Sequence, residues 1–274
     1  MSQLLAAWVN GQSAVGCDLS DRALHYGDGL FETFAVRDGR PEFCAAHLER
    51  LNQGCRRLYF PPPDLALLKA EAHAYSAAHP QAVLKLIYTR GDGGRGYAPP
   101  VAPQPHRIWL CYAWPEGVVA RQQQGVALRV CQTRYASQPQ LAGLKHLNRL
   151  EQVLARAEWQ DPTIGEGLML DFTHQVVSGT MSNLFFLKHD ELRTPPLTQC
   201  GIAGVIRAQV LALAPSLGLR PVVTPLTLAD LAAAEALFLT NSVIRVWPVQ
   251  TWADCHYTDF TWAARFRAAL AEVA

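Results

Sequence analysis

One lysine of this chain stands in a segment whose neighbours favour a reactive amine. Residues 141–151 read Leu-Ala-Gly-Leu-Lys-His-Leu-Asn-Arg-Leu-Glu, and Lys145 lies where a flexible apolar stretch meets an amphipathic helix predicted to continue to about Trp159. The lysine is surrounded in the sequence by two leucines and two cationic side chains, namely Leu144, His146, Leu147 and Arg149. Partial desolvation and nearby positive charge both favour the neutral amine, which is the form that attacks an aldehyde. The alternative is a solvated lysine in the first turn of a helix, which the local pattern alone favours.

A loop rich in glycine and proline carries a group of cations. Arg90 precedes the loop at residues 91–105, Arg95 and Tyr97 lie within it, and Arg107 follows it. A loop of this length without secondary structure usually serves a site or is disordered. Because the formal net charge is only +1, anion binding must depend on arginines placed locally and not on a broad basic field. Solvated loop arginines are the alternative.

Two other segments lie where turns meet regular structure, and the first of them has the backbone pattern of an anion site. Gly201-Ile202-Ala203-Gly204 precedes a helical run, so the N–H groups of Ile202 and Ala203 can cradle an anion with the helix dipole behind them. Thr240-Asn241-Ser242 follows a predicted strand. Ordinary turn and capping interactions are the alternative for both segments.

The elements that must position these residues indicate an α+β protein of two lobes. The 274 residues, half of them hydrophobic, suffice for one large domain or for two lobes with their own cores. We predict an N-terminal lobe over residues 1–114, a polar linker over 115–124 and a C-terminal lobe over 125–274. Hairpins and short strands combined with a few helices argue against a doubly wound sheet.

The predicted elements follow from apolar spacing and from glycine and proline boundaries. Strands are predicted over 4–9, 30–36, 83–88, 107–112, 126–131, 167–170, 175–177, 183–187, 221–223, 237–239 and 245–249. Helices are predicted over 45–58, 64–78, 205–217 and 258–271, besides the one that follows Lys145.

Cysteine usage and the N-terminal sequence indicate a cytoplasmic protein. The seven cysteines include no CxxC pair and no zinc-type cluster, so we expect reduced thiols and no metal. The apolar residues 4–8 lack a preceding basic region, which argues against a signal peptide. No apolar run approaches the roughly 20 residues that a membrane span needs. We expect a soluble protein that binds neither nucleic acid nor membranes.

Six blocks of the chain resemble the class IV family of pyridoxal-phosphate enzymes and occur in the family's order. They are 21–33, 46–51, 90–97, 143–151, the pair 183–185 with 194–195, and 201–207. The block around Lys145 and the arginine-containing loop are similar to those of the aminodeoxychorismate lyases within this family. The resemblance implies fold-type IV, with a smaller N-terminal α/β sandwich lobe and a larger C-terminal pseudo-barrel lobe.

The resemblance also implies pyridoxal 5′-phosphate as the cofactor and a role for each candidate residue. Lys145 is expected to bind the cofactor and to act as general base, with Thr33 assisting proton transfer. The phosphate is expected to contact Arg50, Ile202, Ala203, Asn241 and Ser242. The substrate carboxylates are expected to contact Arg95 first, with Tyr97, Arg90 and Arg107 as further candidates. The alternatives are a surface arginine beside Glu49 for Arg50 and an ordinary strand residue for Thr33.

One position departs from the family pattern. The glutamate that stands five residues before the asparagine of Asn183-Leu184-Phe185, and that contacts the pyridine nitrogen, is replaced here by Ser178. A hydroxyl cannot supply the negative charge that stabilises a protonated ring nitrogen. The cofactor should therefore be a weaker electron sink, which affects transamination more than an elimination driven by aromatisation.

The resemblance implies a lyase that converts 4-amino-4-deoxychorismate to 4-aminobenzoate and pyruvate in folate synthesis, acting on this small molecule as a homodimer. One alternative is a class IV D-amino-acid or branched-chain aminotransferase. The other is a non-catalytic relative that binds pyridoxal phosphate. The lysine block and Ser178 favour the lyase over the aminotransferase, whereas Ser178 is the one feature that favours the non-catalytic relative.

Overall fold

The computed structural model of the chain describes residues 3–14 and 16–274, which divide into two units. The first unit runs to Glu116 and also contains Leu144–Asn148. The second consists of Gly117–Gly143 and Arg149–Ala274. Each unit combines a sheet with helices, so the predicted α+β fold is confirmed. The short return of the chain to the first unit carries Lys145.

The first unit contains six strands and three helices among its described residues. In chain order they are β1 (Leu4–Val9), β2 (Gln12–Ser13), α1 (Arg22–Tyr26), β3 (Gly29–Arg37), β4 (Arg40–Pro41), α2 (Cys44–Arg57), α3 (Leu65–Ser76), β5 (Gln81–Thr89) and β6 (Arg107–Ala113). The strands form an antiparallel sheet in the order β2-β1-β6-β5-β3-β4.

Helices α2 and α3 bury their apolar residues against one face of this sheet. Leu48, Leu51 and Cys55 recur on α2 at helical spacing and are buried, and Leu68 of α3 is buried as well. They belong to one core with the sheet residues Phe34, Leu84, Leu86 and Trp109. Strand β3 therefore has its even-numbered residues turned to the helices and its odd-numbered residues turned to the opposite face.

The segment around Lys145 pairs with the edge of this sheet, so the alternative of a lysine in the first turn of a helix is wrong. Phe31 N donates to Lys145 O at 2.9 Å and Leu147 N donates to Gly29 O at 3.0 Å. The helix begins only at Leu150. Glycine is needed at position 29 because a Cβ there would lie 2.9 Å from the backbone oxygen of Tyr88, besides 2.6 Å from Leu147 Cδ1. Backbone pairing with β3 thus takes the place of a helical turn.

The second unit contains nine strands and five α-helices in the described chain. In order they are α4 (Val118–Gln124), β7 (Val126–Tyr135), α5 (Leu150–Ala157), β8 (Ile164–Asp171), β9 (Val176–Gly179), β10 (Asn183–Lys188), β11 (Glu191–Thr194), α6 (Val205–Leu213), β12 (Arg220–Val223), α7 (Leu228–Ala232), β13 (Ala236–Asn241), β14 (Arg245–Trp252), β15 (Cys255–His256) and α8 (Thr261–Glu272). The sheet order is β12-β11-β10-β13-β14-β7-β8-β9, and β15 pairs with β14.

The core of the second unit is aromatic. The rings of Phe185 and Phe238 stack with centroids 5.3 Å apart, and Phe266 of α8 packs on Phe238 at 5.4 Å. A second cluster contains Tyr135, Trp159, Met169 and Val177. This cluster surrounds the beginning of β9 and so fixes the strand that carries Ser178.

Most of the predicted linker is helical. Residues 118–124 form α4, in which Gln122 Nε2 donates to Ile244 O at 2.8 Å, and the indole of Trp247 donates to Val118 O at 3.2 Å. The polarity of this glutamine-rich stretch predicts a linker, whereas in the structure these contacts hold it against β14. No helix in the described part of the chain is long and apolar enough to cross a membrane.

Candidate active site

Lys145 and Thr33 lie on the same face of the first unit's sheet, around the ring of Phe31. Phe31 and Thr33 alternate on β3, and Thr33 pairs across the sheet with Lys85 of β5, so these three side chains share a face. Lys145 Nζ lies 4.1 Å from the centroid of the Phe31 ring, and Lys85 Nζ lies 5.1 Å from it. The face therefore presents two amines and a hydroxyl group together.

Lys85 is a candidate that sequence reasoning missed. Burial lowers the pKa of its amine, and no carboxylate lies within ion-pair distance of it among residues 3–14 and 16–274. A partly buried cation without a carboxylate is costly unless an anion binds it. The signal in the sequence was a single charge within the apolar run Val83-Leu84-Lys85-Leu86-Ile87.

Arg50 is held by Glu32, on the side of β3 that faces α2. Arg50 Nε donates to Glu32 Oε1 at 2.8 Å, and Arg50 Nη2 donates to Glu32 Oε2. His47 Nδ1 donates to the same Oε2 at 2.6 Å. The arginine is therefore not a surface residue beside Glu49, whose carboxylate binds Asn52 and Gln53.

The charges of this group are fixed by its contacts. Burial raises the pKa of Glu32, but the charge of Arg50 and the hydrogen bonds from His47 and Arg50 prevail and lower it to about 2. Burial has the largest influence on His47 and lowers its pKa, the carboxylate of Glu32 raises it, and the charges of Arg50 and Lys145 lower it, so that the pKa lies below its usual value. At neutral pH the group is an ionised carboxylate between a cationic arginine and a neutral imidazole.

The four residues predicted to bind substrate are not equivalent. Arg90 is buried and donates to Asp28 Oδ2 at 2.8 Å and to Leu58 O at 2.9 Å. Arg107 binds the carboxylate of Glu71 through Nε and Nη2. Arg95 and Tyr97 are exposed on the loop. The structure thus places Arg90 and Arg107 in ion pairs of the fold and leaves Arg95 and Tyr97 as the accessible pair.

Ser178 is the end of a buried hydrogen-bond chain in the second unit. Its hydroxyl donates to Gly179 O at 2.8 Å, and Tyr135 Oη lies 3.0 Å from its Oγ. Gln152 Nε2 donates to Tyr135 Oη at 3.0 Å. Because Ser178 has one hydroxyl proton and a carbonyl only accepts, Tyr135 must donate to Ser178. Ser178 Oγ is thereby an acceptor towards any further partner.

No carboxylate in this hairpin replaces the missing glutamate. Glu166 on β8 is buried, but its oxygens accept hydrogen bonds from Thr180, Met181 and Ser182 in the turn that follows β9. Its charge therefore stabilises the turn.

Asn183 brings the two predicted phosphate segments together in the second unit. Its Nδ2 donates to Ile202 O at 2.9 Å, its Oδ1 accepts from Gly204 N at 3.1 Å, and its backbone pairs with Thr240. Ala203 N donates to Gly143 O at 3.0 Å, so the donor predicted there is already used in the fold. Asn241 Oδ1 accepts from the backbone of residues 243 and 244, and Ser242 follows in the same turn.

The residues present fit pyridoxal phosphate. Within the first unit an amine lies over an aromatic ring and an arginine is oriented by a carboxylate. Within the second unit the N-terminus of α6 offers backbone N–H groups of the kind that bind phosphate. Thr240 Oγ1 is buried beside Asn241 and has no hydrogen-bond partner within the described residues. Such an atom is one that a bound polar group would satisfy.

Comparison with known proteins agrees with this chemistry. The sequence profile of the family described as amino-transferase class IV matches residues 29–252. A curated relative, an aminodeoxychorismate lyase of Vibrio harveyi, is 38% identical over 242 residues, which cover 88% of this chain and 89% of the relative. A putative branched-chain-amino-acid aminotransferase of Methanocaldococcus jannaschii is 31% identical over 236 residues, covering 84% and 80%. The crystal structure of 4-amino-4-deoxychorismate lyase from Pseudomonas aeruginosa superposes with a TM-score of 0.93 at 46% identity, covering 97% of this chain and 98% of that one.

Proposed function

Because this chain belongs to the class IV aminotransferase family of pyridoxal-phosphate enzymes, we propose that it is a lyase that converts 4-amino-4-deoxychorismate to 4-aminobenzoate and pyruvate. The observation that carries the proposal is the similarity to the Pseudomonas lyase over nearly the whole of both chains. The reaction would serve the synthesis of folate, which contains 4-aminobenzoate.

Lys145 is proposed to hold the cofactor and then to move a proton. When bound, pyridoxal phosphate withdraws electrons from the carbon that bears the substrate amine and makes its proton acidic. Lys145 Nζ would take the proton from C4 of the substrate, and the bond between C3 and the enolpyruvyl oxygen would break. The released enolpyruvate takes up a proton and becomes pyruvate. The face shared with Phe31 and Thr33 supports this role, because the Thr33 hydroxyl can assist the proton transfer.

Several residues are proposed to bind the phosphate. Arg50, held by Glu32, is proposed to contact the phosphate with its guanidinium, and Ile202 with the N-terminus of α6 would contribute backbone N–H groups. Ala203, Asn241 and Ser242 are proposed to shape the surrounding turns. Ser178 is proposed to contact the pyridine nitrogen as an acceptor.

The substrate carries two carboxylates, which need cations. Arg95, with Tyr97 as hydrogen-bond partner, is proposed for one of them because both are exposed on the loop. Lys85 is proposed for the other, since its partly buried amine lies by the same ring as Lys145 and has no carboxylate partner in the described chain. Arg90 and Arg107 are engaged in ion pairs and are proposed to support the loop.

We also propose that the protein forms a homodimer and that it is located in the cytoplasm. Leu150, Val153 and Leu154 of α5 are exposed at helical spacing, which suits an interface with a second copy. All seven cysteines are free thiols, as is usual in a reducing compartment. Sedimentation equilibrium would measure the mass in solution, and a monomer would contradict this part.

The deciding experiment is incubation of the protein with pyridoxal phosphate and enzymatically generated 4-amino-4-deoxychorismate. We expect 4-aminobenzoate and pyruvate in equal amounts. The similarity to the Methanocaldococcus protein favours an aminotransferase as the second candidate. Amination of a 2-oxo acid without formation of 4-aminobenzoate would establish that candidate instead. If neither product forms although the cofactor binds, the protein is a non-catalytic relative.

A further inference from the structure

The loop that carries Arg95 and Tyr97 is bound through its backbone to one buried cation. Arg22, on α1, has only 4% of its surface exposed. Its Nη1 donates to Gly96 O at 3.2 Å and to Ala98 O at 3.3 Å, and its Nη2 donates to Tyr97 O at 3.1 Å. Consecutive carbonyl groups at the tip of the loop therefore surround a single guanidinium.

Neighbouring contacts fix the same loop to α1 at both ends. Tyr26 Oη accepts from Gly96 N at 3.1 Å, and the rings of Tyr26 and Tyr97 meet edge to face at 5.5 Å. At the base of the loop, Arg22 N donates to Gly91 O at 3.0 Å. A Cβ at Gly93 would lie 2.6 Å from Arg22 Cδ, so the loop passes directly over the arginine side chain.

The buried charge of Arg22 is stabilised by the carbonyl groups of the loop, which take the place of water. Asp28 Oδ2 accepts from Arg22 Nε and from Arg90 Nε, both at 2.8 Å, so two guanidinium groups share one carboxylate. The loop carbonyls replace water around the remaining N–H groups of Arg22, and without them a buried cation would lack partners.

We propose that Arg22 is a positioning residue that holds residues 93–98 in place and thereby orients Arg95 and Tyr97 towards a dicarboxylate substrate. The identity of that substrate rests on the proposed lyase function, whereas the order of the loop does not. Lysine cannot replace Arg22, because a single ammonium group lacks the planar set of N–H groups that reaches Asp28 and the carbonyls together.

Limited digestion of the holoenzyme with trypsin tests whether Arg22 holds the loop in place, since the bond after Arg95 lies in the exposed loop. The rate of cleavage there is compared by mass spectrometry with the rate after Lys188, the last residue of β10. In Arg22→Gln the ratio should rise by about tenfold or more, because one hydrogen bond to a charged group already corresponds to such a factor. Arg22→Lys should raise it as well. Leu24→Ala, an exposed position on the same helix, should leave it unchanged.

Kinetics test the consequence for the substrate. In Arg22→Gln and Arg22→Lys the KM for 4-amino-4-deoxychorismate should rise while kcat and cofactor content stay near those of the parent protein. An unchanged cleavage ratio would overturn the positioning, and a raised ratio with an unchanged KM would overturn its link to substrate binding.

Two further results distinguish a failure of the positioning proposal from a folding defect and from a failure of the proposed lyase function. If Arg22→Gln does not fold, Tyr26→Phe removes only the bond from Gly96 and should give a smaller rise in both quantities. If the parent protein forms no 4-aminobenzoate, the proposed lyase function fails, while the cleavage ratio still decides whether Arg22 positions the loop.

Discussion

Arg50 and Glu32 form a bidentate ion pair on the side of β3 that faces α2. The Nε and Nη2 groups of Arg50 donate to the two carboxylate oxygens, one of which also accepts from His47. Because Glu32 is almost fully buried, this pair fixes the direction of the guanidinium from inside the first unit. The proposed phosphate contact of Arg50 thus depends on Glu32, which orients the guanidinium.

Arg50→Ala should weaken the binding of pyridoxal phosphate about 10- to 100-fold, because a hydrogen bond to a charged group is worth about 1.5–3 kcal/mol. Glu32→Gln should weaken it less, since the arginine remains but loses its charged partner. Equilibrium dialysis of the apoenzyme measures both affinities. Arg56→Ala, on the exposed side of α2, is the matched control. An affinity unchanged in Arg50→Ala would assign the arginine to the fold alone.

The ion pair should also stabilise the folded protein, and this stabilisation should be lost at acid pH. The pKa of Glu32 is lowered from 4.5 to about 2 in the folded protein. A lowered carboxyl pKa stabilises the fold above the unfolded value, and this contribution is lost as the pH falls from 4.5 towards 2. The free energy of unfolding of the parent protein should exceed that of Glu32→Gln at pH 5 by on the order of a few kcal/mol. Urea unfolding at a series of pH values checks that the difference shrinks on acidification, and a constant difference would contradict it.

Lys145→Ala should abolish formation of 4-aminobenzoate, because the same amine is proposed to hold the cofactor and to take the C4 proton. Borohydride treatment of the yellow holoenzyme should fix the cofactor to the peptide that contains Lys145. The decisive measurement is peptide mapping, since Lys85 lies by the same aromatic ring. Reduced cofactor on Lys85, Lys69 or Lys188 would show that the assignment is wrong, as would near-normal turnover by Lys145→Ala.

Lys85→Met should raise the KM for 4-amino-4-deoxychorismate at least tenfold while the cofactor remains bound, because it removes a cation and keeps the apolar volume. Steady-state kinetics and the absorbance of the holoenzyme check both parts. Lys69→Met, on the exposed side of α3, is the control for loss of one positive charge. If the KM is the same in both variants, Lys85 does not bind the substrate.

The elements were predictable from the sequence where their cores are regular, as in β3, α2 and β5, whose apolar residues recur with the period of their structure. The position of Lys145 was not predictable, because its extended backbone is set by pairing with β3 and not by local preference. Lys85 was missed for a related reason. Whether a charge within a strand faces solvent or an aromatic ring depends on residues distant in the sequence.

The same limit applies to the arginines. The resemblance to the class IV family indicates Arg50 as a phosphate ligand. Its partner Glu32 lies 18 positions away, and no local spacing indicates the pair. Arg90 and Arg107 were grouped with Arg95 because they are close in the sequence. Their engagement with Asp28 and Glu71 became evident only when the strands and helices were placed together.

Ser178 should determine the balance between elimination and transamination, and the hydrogen-bond chain behind it defines how. Gln152 donates to Tyr135, Tyr135 to Ser178 and Ser178 to Gly179 O, so the serine offers the ring nitrogen only a neutral lone pair. A neutral acceptor supports a protonated pyridine nitrogen less than a carboxylate does. The parent protein should therefore form 4-aminobenzoate but transaminate D-alanine or branched-chain amino acids barely or not at all.

Ser178→Glu should raise the ratio of transamination to lyase turnover by about tenfold, since a charged hydrogen bond exceeds a neutral one by roughly 1–1.5 kcal/mol. The new carboxylate would accept from Tyr135 Oη and supply the missing negative charge at the ring nitrogen. Ser178→Gln, of the same size but neutral, is the control and should leave the ratio near that of the parent protein. The ratio is the quantity to measure, because a change in both activities together can reflect folding or cofactor content. If the parent protein transaminates as fast as it forms 4-aminobenzoate, or if Glu and Gln give the same ratio, Ser178 does not govern the choice of reaction.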